Sequence, residues 1–133
     1  MAHYESRDYP TVCPYVFYRD GNAALDYLTR VLGFTERMRT TTADGNVGHA
    51  EVQLGESVVM VACPPEHVTP MELGVTTVGL YVHVEDVDAH YRRVVDAGTE
   101  TDDEPTDQRY GVRSYGLKDP EGHQWWFSQP STP

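Results

Sequence analysis

The sequence has few cysteines, few basic residues and no long apolar run, and each shortage excludes a class of protein. Two cysteines, Cys13 and Cys63, occur in 133 residues, which is too few for a disulfide framework. Ten Lys and Arg against 21 Asp and Glu give a formal charge of -11. This balance argues against a nucleic-acid partner, because phosphate contacts need clustered basic side chains. No run approaches the roughly 18 apolar residues of a membrane span, so we expect no membrane association.

The N-terminus also lacks a targeting pattern. Residues 1–8 show no basic segment followed by an apolar one, as a secretory signal would. We therefore expect a cytoplasmic protein whose first eight residues form a disordered arm. The acidic surplus permits a cationic partner, although a soluble, mutually repelling surface is the simpler explanation.

A coarse internal repeat is the most informative feature of the chain. In each half an apolar run is followed by an Asp and then by a helical pattern that stops at a Gly. In the first half these are residues 12–18, Asp20 and Gly33. In the second half they are residues 77–84, Asp86 and Gly98. Asp suits a helix N-cap, and Gly suits the left-handed position after a helix. The pattern predicts one helix in each half.

Three strands are predicted after each helix. They lie at residues 34–41, 47–54 and 57–63 in the first half, and at 99–104, 111–117 and 123–128 in the second. Asp44-Gly45 is a typical hairpin signal. The predicted fold class is α+β, with a first βαβββ module at residues 9–63, a proline-rich linker at 64–74 and a second module at 75–130. Together they would form one domain with a curved mixed-sheet cup, a shape that commonly binds small molecules.

Several segments resemble one known superfamily. They are residues 15–24 (YVFYRDGNAA), 32–34 (LGF), 82–88 (VHVEDVD) and 118–125 (KDPEGHQW). They are similar to the vicinal oxygen chelate superfamily, which includes glyoxalase I, extradiol dioxygenases, fosfomycin resistance proteins and bleomycin resistance proteins. Residues 48–52 and 110–113 point to a PhnB-like or bleomycin-resistance-like branch. The resemblance covers residues 9–130 and implies paired βαβββ modules and a homodimer.

Metal-dependent members of this superfamily place His or Glu at four inward-facing positions. The resemblance puts these positions at Cys13, Met60, Gly79 and Trp126. None is a His or a carboxylate, glycine has no side chain, and the indole N–H donates but does not ligate. We therefore predict neither a metal nor another cofactor, and we assign no catalytic residue.

Strand alternation turns a largely aromatic set of side chains into the predicted cup. The predicted ligand-binding residues are Tyr15, Phe17, His49, Glu51, Met60, Tyr81, His83, Tyr110, Arg113 and Trp126. Aromatic rings stack on planar ligands and attract cations. An inward Glu51 favours a cationic ligand unless Arg113 neutralises it in an ion pair. The directions of Tyr110 and Arg113 are not fixed by the pattern.

The predicted function is a metal-free protein that sequesters a planar aromatic or cationic compound and is related to antibiotic resistance proteins. The alternative is a metal-dependent lyase, isomerase or dioxygenase in which His49, Glu51 and His83 supply non-standard ligands. A further alternative is metal-independent acid–base catalysis, with His49 or Glu51 moving a proton.

Overall fold

The computed structural model describes residues 9–131 of the chain. These residues fall into two compact units, with the boundary between Thr69 and Pro70, inside the predicted linker. The predicted disordered arm, residues 1–8, lies outside the described residues. None of the helices in residues 9–131 has the length and apolarity needed to cross a bilayer.

The N-terminal unit is a four-stranded mixed sheet with one helical segment. Its elements are β1 (Tyr15–Phe17), α1 (Gly21–Asp26), a π-helical continuation (Tyr27–Val31), β2 (Thr35–Thr41), β3 (Val47–Leu54) and β4 (Ser57–Ala62). The strand order is β1-β4-β3-β2. Strand β1 is parallel to β4, and the other two pairs are antiparallel.

The C-terminal unit repeats this topology. Its elements are α2 (Pro70–Leu73), β5 (Gly79–His83), α3 (Val87–Asp96), β6 (Thr106–Asp107), β7 (Val112–Lys118) and β8 (Gln124–Pro130). The strand order is β5-β8-β7-β6, with β5 parallel to β8. Both units thus have the βαβββ order, and the predicted α+β class is confirmed.

The predicted helix ends are confirmed. The carboxylates of Asp20 and Asp86 each accept a hydrogen bond of 3.0 Å from the backbone N–H three residues later, as an N-cap does. Gly33 and Gly98 have φ angles of 92° and 89°, which favour a residue without a β-carbon. These local signals set where each helix begins and ends.

The helices cover one face of each sheet. The apolar residues of the first helical segment are buried together with sheet residues of one face; these are Ala24, Leu25, Leu28, Val31 and Leu32, with Val16, Ala50, Val52 and Val61 from the sheet. In α3, Val87 and Val94 are buried, whereas Val95 is exposed. We call the opposite side of each sheet its helix-free face.

Two predicted strands differ from the structure. Strand β1 begins at Tyr15 rather than at residue 12, and Pro14, which has no N–H to donate to a strand partner, directly precedes it. The strand predicted at residues 99–104 is wrong, because β6 lies at Thr106–Asp107. Two acidic residues contact the edge of β7 there: the backbone N–H of Asp102 donates to Gly116 O, and Gly116 N donates to the Asp103 carboxylate, both at 2.8 Å.

Candidate functional site

The helix-free face of the N-terminal sheet brings predicted site residues from three strands into one row. In the strand register, Met60 of β4 lies opposite both Tyr15 of β1 and Glu51 of β3. Phe17 and His49 occupy the neighbouring row, both opposite Ala62. Tyr15, Phe17, His49, Glu51 and Met60 therefore share one face, as strand alternation predicts.

A chain of hydrogen bonds links the polar residues of this face. Tyr15 OH lies 2.7 Å from His49 Nδ1, and His49 Nε2 lies 2.9 Å from Glu51 Oε2. The Glu51 side chain is only 4% exposed, whereas that of His49 is 31% exposed. The chain thus runs from a buried carboxylate to a phenol that is half exposed.

Tyr9 is a partner of Glu51 that the sequence analysis missed. Its hydroxyl donates to both carboxylate oxygens, at 3.0 and 3.1 Å. The Arg37 guanidinium carbon in turn lies 4.9 Å from the centroid of the Tyr9 ring, a cation–π arrangement. Tyr9 precedes β1 and belongs to no periodic pattern, so no local signal marks it.

Phe17 extends this face toward the predicted linker. Its ring centroid lies 6.1 Å from that of His67, edge to face, and 5.4 Å from that of Tyr15. A shallow groove of about 580 Å³ is lined by Phe17, Pro64, Pro65, Glu66 and His67. His67 is therefore a second residue near the site that the sequence analysis left out.

The helix-free face of the C-terminal sheet carries an exposed aromatic group. Tyr81 of β5 lies opposite Trp126 of β8, with ring centroids 6.5 Å apart. The ring of His83 lies 5.5 Å from that of Tyr81. Tyr81 and Trp126 remain 45% and 40% exposed, so these rings are accessible as well as adjacent.

Two glycines make room for the Trp126 ring. A β-carbon on Gly79 of β5 would lie 2.2 Å from Trp126 Cζ3, and one on Gly116 of β7 would lie 2.9 Å from Trp126 Cδ1. Because β5 and β7 flank β8 on its two sides, the indole lies flat across three strands. We call Trp126, with the two glycines beneath it and Tyr81 beside it, the Trp126 platform.

An acidic side chain borders the Trp126 platform. The β-carbon position above Gly116 lies 3.2 Å from Asp102 Oδ2. Gln124 Nε2 donates to this oxygen at 2.9 Å, and Lys118 Nζ lies 3.3 Å from the other carboxylate oxygen. Asp102 belongs to the acidic loop that replaced the predicted strand, so the failed strand prediction also hid this neighbour.

Arg113 does not lie on a helix-free face. Its Nε and Nη2 donate to the two carboxylate oxygens of Asp88 in α3, at 3.1 and 3.0 Å. The Arg113 hydrogen bond and charge hold the pKa of the Asp88 carboxyl below its usual value. The ion pair between Arg113 and Glu51 that the sequence suggested is wrong, since alternation along β7 turns Arg113 toward the helix. Tyr110 lies in the turn before β7 and is 72% exposed.

The four positions where relatives bind a metal do not fit an ion here. Cys13 precedes β1, and its Sγ lies 3.5 Å from the carbonyl oxygen of Pro10. The space above Gly79 is filled by the Trp126 ring, whose N–H does not ligate. Within residues 9–131, no three His, Cys, Asp or Glu side chains converge as a metal site requires. In the alternative cluster, His49 and Glu51 belong to the N-terminal unit and His83 to the C-terminal unit, so that cluster stays a prediction.

Comparison with known proteins identifies the family. The model of the Glyoxalase/Bleomycin resistance protein/Dioxygenase superfamily matches residues 3–127. The chain belongs to this superfamily. The uncharacterized protein Mb0911c of Mycobacterium bovis is 31% identical over 127 residues, which are 91% of this chain and 84% of that protein.

Solved structures of the superfamily share the fold. TioX from Micromonospora sp. ML1 is 33% identical, with a TM-score of 0.71 over 90% of this chain and 98% of its own. TnmS3 from Streptomyces sp. CB03234, described as an antibiotic-binding protein, has a TM-score of 0.66 at 20% identity, over 92% of this chain and 98% of its own. The superfamily predicted from the sequence segments is thus confirmed, whereas activity has to be argued from the site.

Proposed function

We propose that this protein is a metal-free binding protein for a planar aromatic or cationic small molecule, and that the Trp126 platform is where the ligand stacks. The observation that carries the proposal is the Trp126 ring lying over Gly79 and Gly116 while 40% of the residue remains exposed. One ring face is supported by the sheet, which leaves the other for a ligand. Concave or flat aromatic surfaces of this kind bind planar molecules.

The two glycines make the platform rigid as well as flat. A ring in close contact with two backbones has few alternative rotamers, so little side-chain entropy is lost when a ligand binds. Offset stacking between aromatic rings contributes about 0.5–1.5 kcal/mol beyond the burial of apolar area. Tyr81 adds a second ring, tilted by 39° to the first, against which the ligand edge packs.

Charge favours a cationic ligand over an anionic one. Trp is the aromatic side chain that attracts cations most strongly, and the Asp102 carboxylate borders the ring. Lys118 offsets part of that charge, but the chain as a whole carries a formal charge of -11. Such a field raises the local concentration of cations and slows the approach of anions.

Tyr15, Phe17, His49, Glu51 and Met60, on the N-terminal helix-free face, remain proposed ligand contacts. A homodimer and a cytoplasmic location also remain predictions. The antibiotic-binding description of TnmS3 is consistent with the proposed ligand class. Metal-dependent lyase, isomerase or dioxygenase chemistry is not part of the proposal, because the four donor positions hold Cys, Met, Gly and Trp.

Calorimetric titration with proflavine, a planar aromatic cation, tests the proposal. We expect saturable binding to the native chain and about tenfold weaker binding to the Trp126→Ala variant, since the loss of one stacking contact is about 1.4 kcal/mol. A planar aromatic sulfonate should bind more weakly than proflavine. The matched control is Val75→Ala, an exposed apolar residue ahead of β5, which should leave affinity unchanged. Equal affinity of the native and Trp126→Ala proteins would contradict the proposal, as would a stoichiometric metal ion in protein purified without chelator.

A further inference from the structure

The row of hydrogen bonds on the N-terminal helix-free face runs from the exposed Tyr15 through His49 to the buried Glu51. We propose that Tyr15, His49 and Glu51 form a relay that accepts the proton of an acidic hydroxyl group on a molecule bound at Tyr15. All three residues belong to the N-terminal unit, whereas the Trp126 platform belongs to the C-terminal unit.

Glu51 is the buried, charged end of the relay. Its side chain is 4% exposed, and its oxygens are hydrogen-bonded to Tyr9 OH and to His49 Nε2. Hydrogen bonds to a carboxylate are stronger than those to a neutral acceptor, so Glu51 holds both partners in place. Its burial and its contact with Nε2 suit Glu51 to orient His49 and to attract a positive charge on that ring.

His49 is the proton acceptor, and Glu51 selects its tautomer. An ionised carboxylate only accepts hydrogen bonds, so the proton of a neutral His49 lies on Nε2, facing Glu51. Nδ1 then carries a lone pair and accepts the hydrogen bond from Tyr15 OH at 2.7 Å. The same logic orients the histidine in carboxylate–histidine pairs that act as general bases.

Tyr15 is the end that meets a ligand. The residue is 48% exposed, and its hydroxyl still has acceptor capacity after donating to His49. The rings of Phe17 and His49 flank it at 5.4 and 5.5 Å. These surroundings suit an aromatic molecule that carries an acidic hydroxyl, such as an acidic phenol.

The proposed step carries one proton from the ligand to His49 through two transfers, and the total charge does not change. The ligand O–H bond breaks as its proton passes to Tyr15 oxygen, while the original Tyr15 proton passes to His49 Nδ1. Tyr15 stays neutral, His49 becomes an imidazolium, and the ligand becomes an anion. The new positive charge stands beside the Glu51 carboxylate, 2.9 Å from Nε2, where opposite charges attract.

The residues directly opposite this pair on the neighbouring strands are not ionisable. From β2, Met38 lies opposite Glu51 and Thr40 opposite His49. From β4, Met60 and Ala62 occupy the corresponding positions. Two further ionisable groups lie close by: Tyr9, which donates to Glu51, and Arg37 of β2, whose guanidinium lies against the Tyr9 ring.

Spectrophotometric titration of para-nitrophenol tests the relay, because its phenolate absorbs at longer wavelength than the phenol. At a pH below the probe's own pKa, we expect the native chain to raise the phenolate-to-phenol ratio of the bound probe about tenfold over that of the free probe, equivalent to one unit of pKa. Tyr15→Phe and His49→Gln should abolish this excess, and Glu51→Gln should reduce it. Tyr91→Phe, a tyrosine on α3, is the matched control and should keep it.

Two results would overturn the inference. One is a probe that binds the native protein without excess phenolate, or that fails to bind at millimolar concentration, since an accessible Tyr15 is required. The other is a nitrogen NMR spectrum showing neutral His49 protonated at Nδ1, a readout that does not depend on any ligand. Excess phenolate that survives in Tyr15→Phe but vanishes in Trp126→Ala would assign the effect to the Trp126 platform instead.

Discussion

Replacement of Gly79 by alanine perturbs the Trp126 platform without removing any of its rings. The new β-carbon would lie 2.2 Å from Trp126 Cζ3 and 2.9 Å from Cη2, where nonbonded carbons normally lie about 3.5–4.0 Å apart. The φ angle of Gly79 is not in the left-handed region, so the methyl group adds steric conflict and no backbone strain. The indole must therefore shift by more than about 1 Å.

The expected energetic cost is small, because the ring has somewhere to go. Overpacking a closed core costs about 1–3 kcal/mol, but the outer face of Trp126 is exposed and the ring is free to tilt outward. We therefore expect a loss near 1 kcal/mol, or a fall in Tm of about 4 °C for a domain of this size. The flat geometry of the platform, in contrast, should be lost.

Four measurements on Gly79→Ala separate these effects. The near-ultraviolet circular dichroism and the Trp emission should change, thermal unfolding should stay cooperative, and proflavine affinity should fall toward that of Trp126→Ala. Val78→Ala is the control, since Val78 is the preceding residue and is 69% exposed. Unchanged emission together with unchanged affinity in Gly79→Ala would refute the idea that the bare glycine backbone positions the ring.

The remaining predictions concern stability. Asp86→Ala should cost about 1 kcal/mol in urea unfolding, because the first turn of α3 loses its cap; no change would show that the cap hydrogen bond is replaced by water. Trp125→Phe should cost about 2–4 kcal/mol, because it removes buried ring volume and leaves Asp119 without the indole donor. The Arg113 pair lowers the pKa of Asp88, so its contribution is present above the unfolded-state pKa of about 3.9 and is lost as pH falls through the lower folded value. The Tm of Asp88→Asn should therefore fall less than that of the native protein as the pH drops below about 4. An equal fall of Tm in the two proteins would contradict this.

Local chemistry explains why much of the fold could be predicted from the sequence. Asp20 and Asp86 cap helices through amides three residues away, and Gly33 ends the first helix in a conformation that few other residues adopt. The strand β3 has the predicted bounds because Asp44-Gly45 and Gly55 set its two ends. Each of these signals acts over fewer than about six residues.

The site was only partly predictable, because its contacts join distant positions. Alternation placed Tyr15, His49 and Glu51 on one face, but the link from Glu51 to Tyr9 spans 42 residues and leaves no trace in any periodic pattern. The space above Gly79 likewise depends on Trp126, from a strand that pairs in parallel after a long crossover. An acidic stretch without alternation concealed β6. Asp102 contacts β7 through its backbone N–H and Asp103 through its carboxylate, and no alternation of side chains marks either contact.

A crystal structure of the protein grown with proflavine tests the central claim most directly. The account predicts a planar ligand stacked on the free face of the Trp126 indole, with its edge toward Tyr81 and no ion at Cys13, Met60 or Gly79. A metal ion coordinated on either helix-free face, or proflavine bound only away from Trp126, would contradict it.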